Sequence, residues 1–275
     1  MLAAVVQLRS TSDAEANVAT AEHWVRVAAS RGARLVATPE NTTWLGSHTE
    51  KLRRAEPVDG PTHRRFAALA AELRIHLLIG SVAERIDHSP DRCGNTSLFY
   101  GPDGNLVASY RKLHLFDVDA GPDLRFRESA TTASGDTVVV APTPAGPMGL
   151  SICYDLRFPE LYAAAVRRGA VLLSIPAAFT ARTGKDHWEP LLRARAIETQ
   201  CWVLAPGQQG HHDDDGLRES HGHSMIVDPW GHVVARCSDG PGIAMADIDP
   251  DQVARIRRAM PLSEHRRHDA ISRSP

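Results

Sequence analysis

The 275-residue sequence lacks the features that would assign it to several classes of protein. No apolar stretch approaches the roughly 20 residues of a membrane-spanning helix, and the first residues lack the basic segment that opens a secretory signal peptide. Acidic and basic residues nearly balance, 33 against 31, for a net charge of −2, which provides no basic field for nucleic acid or an anionic membrane. We therefore expect no membrane span, no export and no nucleic-acid partner.

Cysteine and lysine are also scarce. The cysteines are Cys93, Cys153, Cys201 and Cys237, and without an export signal they indicate reduced thiols in the cytoplasm rather than a disulfide framework. Among 31 basic residues the only lysines are Lys51, Lys112 and Lys185. A lysine in an apolar setting of this arginine-rich chain therefore indicates a property that arginine lacks.

The remaining composition is typical of a globular protein, with 43% hydrophobic and 23% charged residues. A chain of this length buries roughly 73% of its surface on folding, so its core needs no disulfide or metal. Short apolar runs alternate with helical patterns, and two hairpins indicate antiparallel as well as parallel strands. We predict one α/β domain with a mixed sheet over residues 1–250. Residues 251–275 are predicted to form a helix and an extended tail, not a separate domain.

The predicted elements follow from periodicity and from turn residues. Strands are expected over residues 2–8, 35–38, 77–82, 96–100, 106–112, 138–140, 148–152, 171–175, 201–205, 224–227 and 233–237. Helices are expected over residues 14–30, 61–73, 159–168 and 188–199, with a last one around Val253 and Ile256.

Cys153 lies at the predicted bend between a strand and a helix. The apolar run 148–152 precedes it, and Pro159 and Glu160 mark the start of the next helix. Backbone amides and the positive end of a helix favour a thiolate at such a bend, which would make Cys153 a nucleophile. The alternative is a small buried hydrophobic residue, as we expect for Cys201.

Glu40, Lys112 and Glu128 are further candidates. Glu40 follows Pro39 at the end of a strand, where α/β folds place reactive groups, and Lys112 ends a hairpin strand. The alternatives are a capping or surface carboxylate for Glu40 and an exposed lysine for Lys112. For Glu128 the alternative is an ion pair with the flanking arginines.

A thiol, a carboxylate and an ammonium group together fit the hydrolysis of an amide. The carboxylate can take the thiol proton and later protonate the leaving nitrogen. The ammonium group and a backbone amide can stabilise the tetrahedral oxyanion. This chemistry requires no metal, and we predict no cofactor.

Three segments resemble the catalytic motifs of the nitrilase superfamily of carbon–nitrogen hydrolases, in the same order along the chain. They are Pro39-Glu40-Asn41, residues 110–116 and residues 152–160. The resemblance continues through residues 176–179, 187–189, 192–198 and 222–231, and it covers roughly residues 2–268.

The resemblance implies a four-layer αββα sandwich that pairs with a second subunit through its outer helices, as a homodimer or a higher homo-oligomer. It implies Cys153 as the nucleophile and Glu40 as the general base. Lys112 and the backbone amide of Tyr154 would stabilise the oxyanion. Glu128 matches the second glutamate of the superfamily, which positions the lysine and the substrate.

Within the superfamily, the sequence resembles the deaminated-glutathione amidases, which cleave an α-keto-acid amide to 2-oxoglutarate and cysteinylglycine. The resemblance rests on residues 192–198, 210–212, 222–225, 235–242 and 260–268. Two segments depart from that branch, namely the acidic run 213–215 and the C-terminal residues 271–275.

The expected substrate is a small-molecule amide whose short acyl group ends in a carboxylate. Arg157 follows the nucleophile by four residues and can pair with that carboxylate through two hydrogen bonds; the alternative is a salt bridge with Asp155 or Glu160. The other predicted substrate-binding residues are Tyr154, Phe179, Arg182 and Thr183, the last two in a loop after Phe179.

Other functions remain open on the sequence alone. An ω-amidase, an N-carbamoyl amino acid amidohydrolase and a nitrilase share the thiol chemistry and differ in the shape of the pocket. The histidine-rich stretch from His211 to Asp215 and from His221 to His223 also permits a metallohydrolase, although a solvated loop is favoured there. A non-catalytic binding module is the last alternative.

Overall fold

The computed structural model describes residues 1–119, 125–213 and 219–267. Asp214 and Asp215 of the histidine-rich stretch and the predicted tail beyond Arg267 lie outside these ranges. The strands are β1 (Leu2–Gln7), β2 (Leu35–Ala37), β3 (His76–Arg85), β4 (Cys93–Tyr100), β5 (Leu106–Arg111), β6 (Asp117–Asp119), β7 (Arg125–Arg127), β8 (Thr132–Ala133), β9 (Val140–Ala141), β10 (Met148–Leu150), β11 (Leu172–Ser174), β12 (Trp202–Ala205), β13 (Gln209–His211), β14 (Glu219–His221), β15 (Met225–Val227), β16 (Val233–Arg236) and β17 (Gly242–Asp247).

The helices are α1 (Ala14–Ser30), α2 (His48–Arg53), α3 (Pro61–Leu73), α4 (Pro159–Arg167), α5 (Ala181–Thr199), α6 (Pro250–Ala259) and α7 (Leu262–His265). Two short 3₁₀ turns cover Glu128–Ala130 and Cys153–Arg157. None of the helices in the described ranges is both long enough and apolar enough to span a bilayer.

Two mixed sheets form the centre of the fold. The first has the order β17-β1-β2-β3-β4-β5, with β8 beside β4, and the second has the order β16-β15-β12-β11-β10-β9. In the first sheet β1, β2 and β3 are parallel, and in the second β10, β11 and β12 are parallel, with antiparallel strands on both sides of each trio.

Alternation of side chains along the strands produces the layers. In β1, Ala3 and Val5 join the core between the two sheets, whereas Ala4 and Val6 face the core under α1 and α3. Helices α4 and α5 cover the second sheet. The fold is therefore the four-layer αββα sandwich that the sequence predicts.

The local signals for several elements are confirmed. Asp13 caps α1 by accepting a hydrogen bond from the Ala16 amide at 3.0 Å, and Pro61 occupies the first turn of α3. After β17, which belongs to the first sheet, α6 packs on the core between the sheets through Val253, which is 1% exposed.

The largest difference from the prediction is at α5, which begins at Ala181 rather than Trp188. Gly184 lies within the helix, and a Cβ there would be only 2.3 Å from the Cβ of His221. The first two turns contain little apolar periodicity, and Pro190 inside the helix resembles a helix start. Arg182 and Thr183 consequently lie in the first turn of α5, not in a loop.

Candidate active site

Cys153 begins a 3₁₀ turn directly after the strand region of β10, and its φ of 49° lies where residues other than glycine are uncommon. Its amide donates to the carbonyl of Pro176 at 2.9 Å, and its thiol shares the pocket with the carboxylate of Glu40, whose charge acts on it. The surrounding hydrogen bonds hold this strained conformation. The sulfur is thereby directed into a pocket next to a base.

Glu40 is held by a turn after β2 that approaches a neighbouring strand with no room for a side chain. A Cβ at Gly80 would lie 2.0 Å from the carbonyl oxygen of Thr38 and 2.5 Å from the Cβ of Pro176, so the approach requires glycine. The Oε2 atom of Glu40 accepts a hydrogen bond from the Ala178 amide at 2.8 Å. The carboxylate is thus fixed between the two sheets.

Lys112, directly after β5, joins the two predicted glutamates. Its Nζ donates to Oε1 of Glu40 and to Oε2 of Glu128, both at 2.9 Å. The three residues are 1%, 3% and 5% exposed, respectively, so their charges are buried together. An ammonium group has three donors, and these two bonds leave one N–H for a substrate oxygen.

Asn95 is a further member of the cluster that the sequence analysis did not single out. Its Nδ2 donates to Oε1 of Glu40 at 2.8 Å and to Oε1 of Glu128 at 3.0 Å. A neutral amide and a charged ammonium group therefore join the same two carboxylates. Asn95 lies within β4 and is 1% exposed. Many buried strand residues share this location, so the local sequence does not distinguish Asn95 as a functional residue.

Lys112 and Glu128 stay ionised in the cluster although they are buried, because their opposite charges stabilise each other. Burial disfavours the ammonium form of Lys112, but the carboxylates of Glu128 and Glu40 outweigh it and raise the pKa of Lys112 well above its ordinary value. Burial also opposes ionisation of Glu128, yet the charges of Lys112 and Lys51 and the Phe116 amide lower its pKa to about 2. Lys112 and Glu128 are consequently ionised at neutral pH.

The thiol of Cys153 behaves differently from the sequence-based expectation of a thiolate. Burial and the adjacent charge of Glu40 raise its pKa well above the ordinary value, and the opposing effect of Lys112 is smaller. The 3₁₀ turn after Cys153 is too short to supply the field of a full helix. The resting group is therefore a protonated thiol with a carboxylate base in the same pocket.

Asp155 ties the turn of Cys153 to the segment that carries Lys112. Its buried carboxylate accepts hydrogen bonds from the Ile152 amide at 2.9 Å, the Tyr110 hydroxyl at 2.7 Å and the His114 amide at 3.0 Å. These contacts connect β5 of the first sheet with the end of β10 in the second. The relative position of nucleophile and lysine depends on this carboxylate.

One pocket lies over the cluster. The residues that line it are Glu40, Asn41, Trp44, Leu45, Gly46, Lys51, Lys112, Phe116, Phe126, Glu128, Cys153, Tyr154, Arg157, Ala178, Phe179, Thr180 and Thr183. The structure therefore places four predicted substrate-binding residues at the pocket, Tyr154, Arg157, Phe179 and Thr183. Arg182 is exposed and is not part of this lining, because it faces outward from the first turn of α5.

Arg157 does not form the salt bridges with Asp155 or Glu160 that were the alternative to substrate binding. Among the described residues no ion pair joins it to Asp155 or Glu160; instead its Nη1 lies 3.2 Å from Nδ1 of His187. Its guanidinium carbon lies 5.1 Å from the ring centre of Phe179 and 5.9 Å from that of Tyr154. Two aromatic rings thus hold a cation at the pocket wall.

In the described part of the histidine-rich stretch, His211 and His221 lie in the antiparallel strands β13 and β14, not in the solvated loop that was favoured. His212 is 4% exposed, with Nδ1 at 2.7 Å from the Ser10 carbonyl oxygen and Nε2 at 2.8 Å from the Ser220 hydroxyl. Both ring nitrogens therefore have protein partners. Within residues 1–119, 125–213 and 219–267, no group of three or more His, Cys, Asp or Glu side chains is arranged to hold a metal ion.

Lys51 is the second pocket residue that the sequence analysis did not assign. It lies on α2, a helix that was not predicted, and its charge contributes to the low pKa of Glu128. Its rarity in an arginine-rich sequence was the available signal, and two of the three lysines line the pocket.

Comparisons with known proteins show which family the chain belongs to. The family model described as carbon–nitrogen hydrolase matches residues 2–258. A protein from Synechocystis named deaminated glutathione amidase is 42% identical over 267 residues, which cover 96% of this chain and 97% of the relative.

Solved structures are similar as well. The NitFhit protein of Caenorhabditis elegans has a TM-score of 0.91 at 39% identity over 98% of this chain, which spans 65% of that longer protein. A Saccharomyces cerevisiae protein described as a member of branch 10 of the nitrilase superfamily has a TM-score of 0.86 at 32% identity, over 97% of this chain and 96% of that one. Together with the family match, the amidase relative indicates an enzyme that acts on carbon–nitrogen bonds other than peptide bonds. The chain belongs to the carbon–nitrogen hydrolase family, within the nitrilase superfamily.

Proposed function

We propose that this chain hydrolyses the amide bond of deaminated glutathione, or of a closely related α-keto-acid amide, through a thioester on Cys153. The observation that carries the proposal is the hydrogen-bonded cluster at the base of the pocket. The Cys153 thiol lies in the same pocket as Glu40, whose charge acts on it, and Lys112 bridges Glu40 and Glu128. A thiol, a base and an oxyanion donor thus lie together in one pocket.

Acylation begins with proton transfer from the thiol to Glu40, which matches a resting thiol with a raised pKa. The sulfur then attacks the amide carbonyl carbon, and the negative charge moves to the carbonyl oxygen. Lys112 and the amide of Tyr154, in the first turn where an N–H lacks a helical acceptor, stabilise that oxygen. Collapse breaks the C–N bond, and protonated Glu40 returns the proton to the leaving nitrogen.

Deacylation uses the same groups with water as the nucleophile. Ionised Glu40 takes a proton from water, the resulting hydroxide attacks the thioester carbonyl, and the oxyanion again lies at Lys112. The C–S bond breaks, the carboxylic acid leaves and Cys153 regains its proton. Throughout both steps Glu128 stays ionised and keeps Lys112 in place, which its low pKa supports.

The choice of substrate rests on Arg157 and on the name of the Synechocystis relative. A guanidinium group held over Phe179 and Tyr154 can bind the carboxylate of an α-keto acid with two hydrogen bonds. Thr180 and Thr183 add hydroxyl groups to the same wall, and their Oγ1 atoms lie 2.8 Å apart. This wall is the proposed binding site for the acyl group.

Steady-state kinetics of the purified protein test the proposal on a panel of substrates. The panel contains deaminated glutathione, α-ketoglutaramate, an N-carbamoyl amino acid, an uncharged aliphatic amide and a nitrile. We expect the highest kcat/KM for deaminated glutathione, with no turnover by Cys153→Ala. Highest kcat/KM for α-ketoglutaramate would assign an ω-amidase instead, and a preference for the uncharged amide or the nitrile would refute the proposed acyl site.

We also propose that the protein is a single domain that forms a homodimer in the cytoplasm. Exposed apolar side chains support the dimer: Ile197 on the outer helix α5 is 46% exposed, and Trp230 is 53% exposed. The four cysteines are unpaired, which fits a reducing compartment. Light scattering of the wild type and Ile197→Asp tests the dimer. A wild-type monomer, or a variant that remains dimeric, would contradict this interface.

A further inference from the structure

The pocket contains two cationic side chains besides Lys112, and they are carried by different segments. Arg157 is the last residue of the turn that Cys153 begins, whereas Lys51 lies on α2, in the segment between β2 and α3. The proposed mechanism uses Lys112 and Arg157. It leaves the ammonium group of Lys51 without a role.

The two arginines that follow Lys51 at the end of α2 contact residues outside the catalytic cluster. Arg53 forms an ion pair with Glu50 at 2.5 Å, and the guanidinium carbon of Arg54 lies 4.4 Å from the ring centre of Trp44. Lys51, by contrast, lines the pocket and has no ion pair or side-chain hydrogen bond with any residue that the structure describes. Its charge acts at long range on buried Glu128 and on the thiol of Cys93, in the direction that lowers the pKa of each.

The segment that carries Lys51 is fixed to the body of the protein. Ser47 caps α2 through the Glu50 amide at 3.4 Å, and the Leu45 amide donates to the Thr11 carbonyl at 3.1 Å. Thr42 is held to the first sheet by a hydrogen bond from its amide to the Ser81 carbonyl at 3.0 Å. After Lys51, the Glu56 amide donates to the Ala83 carbonyl at 3.2 Å, so the backbone is anchored on both sides of Lys51, whose side chain lines the pocket.

We propose that Lys51 forms a second anion-binding subsite, which holds a carboxylate on the leaving amine. This inference rests on the proposed function, because that function defines the two ends of the substrate. Deaminated glutathione carries one carboxylate in its acyl group and another at the end of its cysteinylglycine group, with the scissile amide between them. The pocket matches this arrangement with one cation per carboxylate, Arg157 for the acyl group and Lys51 for the amine.

The subsite predicts a preference for amides with an anionic leaving group over amides of ammonia. Deaminated glutathione and α-ketoglutaramate make a matched pair, since they share the acyl group and differ only in the leaving amine. The decisive quantity is the ratio of kcat/KM for deaminated glutathione to kcat/KM for α-ketoglutaramate. In Lys51→Met this ratio should fall about tenfold, as expected for the loss of one charged hydrogen bond.

Three further variants complete the experiment. Lys51→Arg keeps the charge and should retain most of the ratio, whereas Lys51→Glu should lower it further. Lys185→Met removes a lysine that is paired with Asp186 and lies outside the pocket lining, so it should leave the ratio unchanged. The circular dichroism spectrum of each variant reports whether it folds.

The outcomes separate this subsite from the proposed function. If the wild type hydrolyses both α-keto-acid amides and Lys51→Met keeps the wild-type ratio, the subsite is refuted and the proposed function stands. If Lys51→Met lowers both kcat/KM values equally, Lys51 acts on the shared acyl group and the subsite is again refuted. If the wild type hydrolyses neither amide, both proposals fail.

Discussion

Asn95 donates a hydrogen bond of 2.8 Å to Glu40 from the same amide nitrogen that binds Glu128 at 3.0 Å. Lys112 donates to the same two carboxylates, so two donors and two acceptors form a closed ring. The ammonium group supplies charge, and the amide supplies direction without adding charge. Such a ring keeps two like charges close together at a fixed separation.

Asn95→Leu should therefore lower kcat by about 10- to 100-fold with a smaller change in KM, because the base and the lysine lose their fixed orientation. The loss of a donor also favours the protonated form of buried carboxylates, so the acidic limb of kcat/KM should move to higher pH. Steady-state kinetics across pH measure both effects. Gln200→Met, which removes another buried side-chain amide that binds the Met260 carbonyl and is not part of the pocket lining, is the matched control, and equal losses in the two variants would contradict a positioning role.

Lys112→Arg should be nearly as damaging as Lys112→Ala. The ammonium group fits between two carboxylates in a site that is almost inaccessible to solvent, and a planar guanidinium group is too large to occupy the same position. Loss of an oxyanion donor typically lowers kcat by about 10²- to 10³-fold. The rate of each variant on the preferred amide is the measurement, with Lys185→Arg as the control. An arginine variant with most of the wild-type rate would rule out this role for Lys112.

The positions of the candidate catalytic residues could be predicted from the sequence, because these residues lie in three short segments whose order and composition are distinctive. Those segments predicted Glu40, Lys112 and Cys153, and the structure brings them together. The role of Asn95 was not predicted, because the sequence around an asparagine in an apolar strand does not indicate which side chains it will contact in the folded protein. Its role depends on contacts between residues distant in sequence.

Two features could not be predicted from the sequence, each for its own reason: the protonation state of the Cys153 thiol and the location of Arg182 in a helix. A thiolate at Cys153 was inferred from the local bend, but the pKa depends on burial and on Glu40, which only the packed fold defines. The early start of α5 depends on the contact between Gly184 and His221. Because this contact joins α5 to strand β14, which is distant in sequence, it produces no helical periodicity of apolar residues that could be recognised in the sequence.

A small electrophile such as iodoacetamide should label Cys153 before the other three cysteines. Burial raises the pKa of Cys93, Cys201 and Cys237 too, the last to about 11, but only Cys153 lines the pocket beside a carboxylate base. Glu40→Gln should not slow labelling of Cys153, because it removes the adjacent charge that raises the pKa of the thiol, whereas amide hydrolysis, which needs the base, should be lost. Peptide mapping by mass spectrometry at limiting reagent measures the labelling, and uniform labelling of the four thiols would contradict the selective reactivity of Cys153.

The paired charge of Glu128 predicts how stability depends on pH. Its pKa falls from 4.5 to about 2 on folding, so the native state favours the ionised form. The resulting stabilisation is present above pH 4.5 and is lost as the pH falls through the folded value. The free energy of unfolding in urea should therefore decrease below pH 4.5, and Glu128→Gln should flatten this decrease. Exposed Glu160→Gln serves as the control, and identical pH dependence in both variants would contradict the buried pair.

Arg157→Lys should weaken kcat/KM for amides with an acyl carboxylate by about 1–3 kcal/mol, or roughly 5- to 150-fold. The guanidinium group lies over Phe179 and Tyr154 and makes no salt bridge with a described carboxylate, so it is available to a substrate. Lysine retains the charge but loses the planar pair of donors and the stacking. An uncharged aliphatic amide should be affected much less, because no carboxylate is present to lose its partner. Kinetics on α-ketoglutaramate and on the uncharged amide decide the matter: an equal loss on both would show that Arg157 supports the turn of Cys153 and does not bind the substrate.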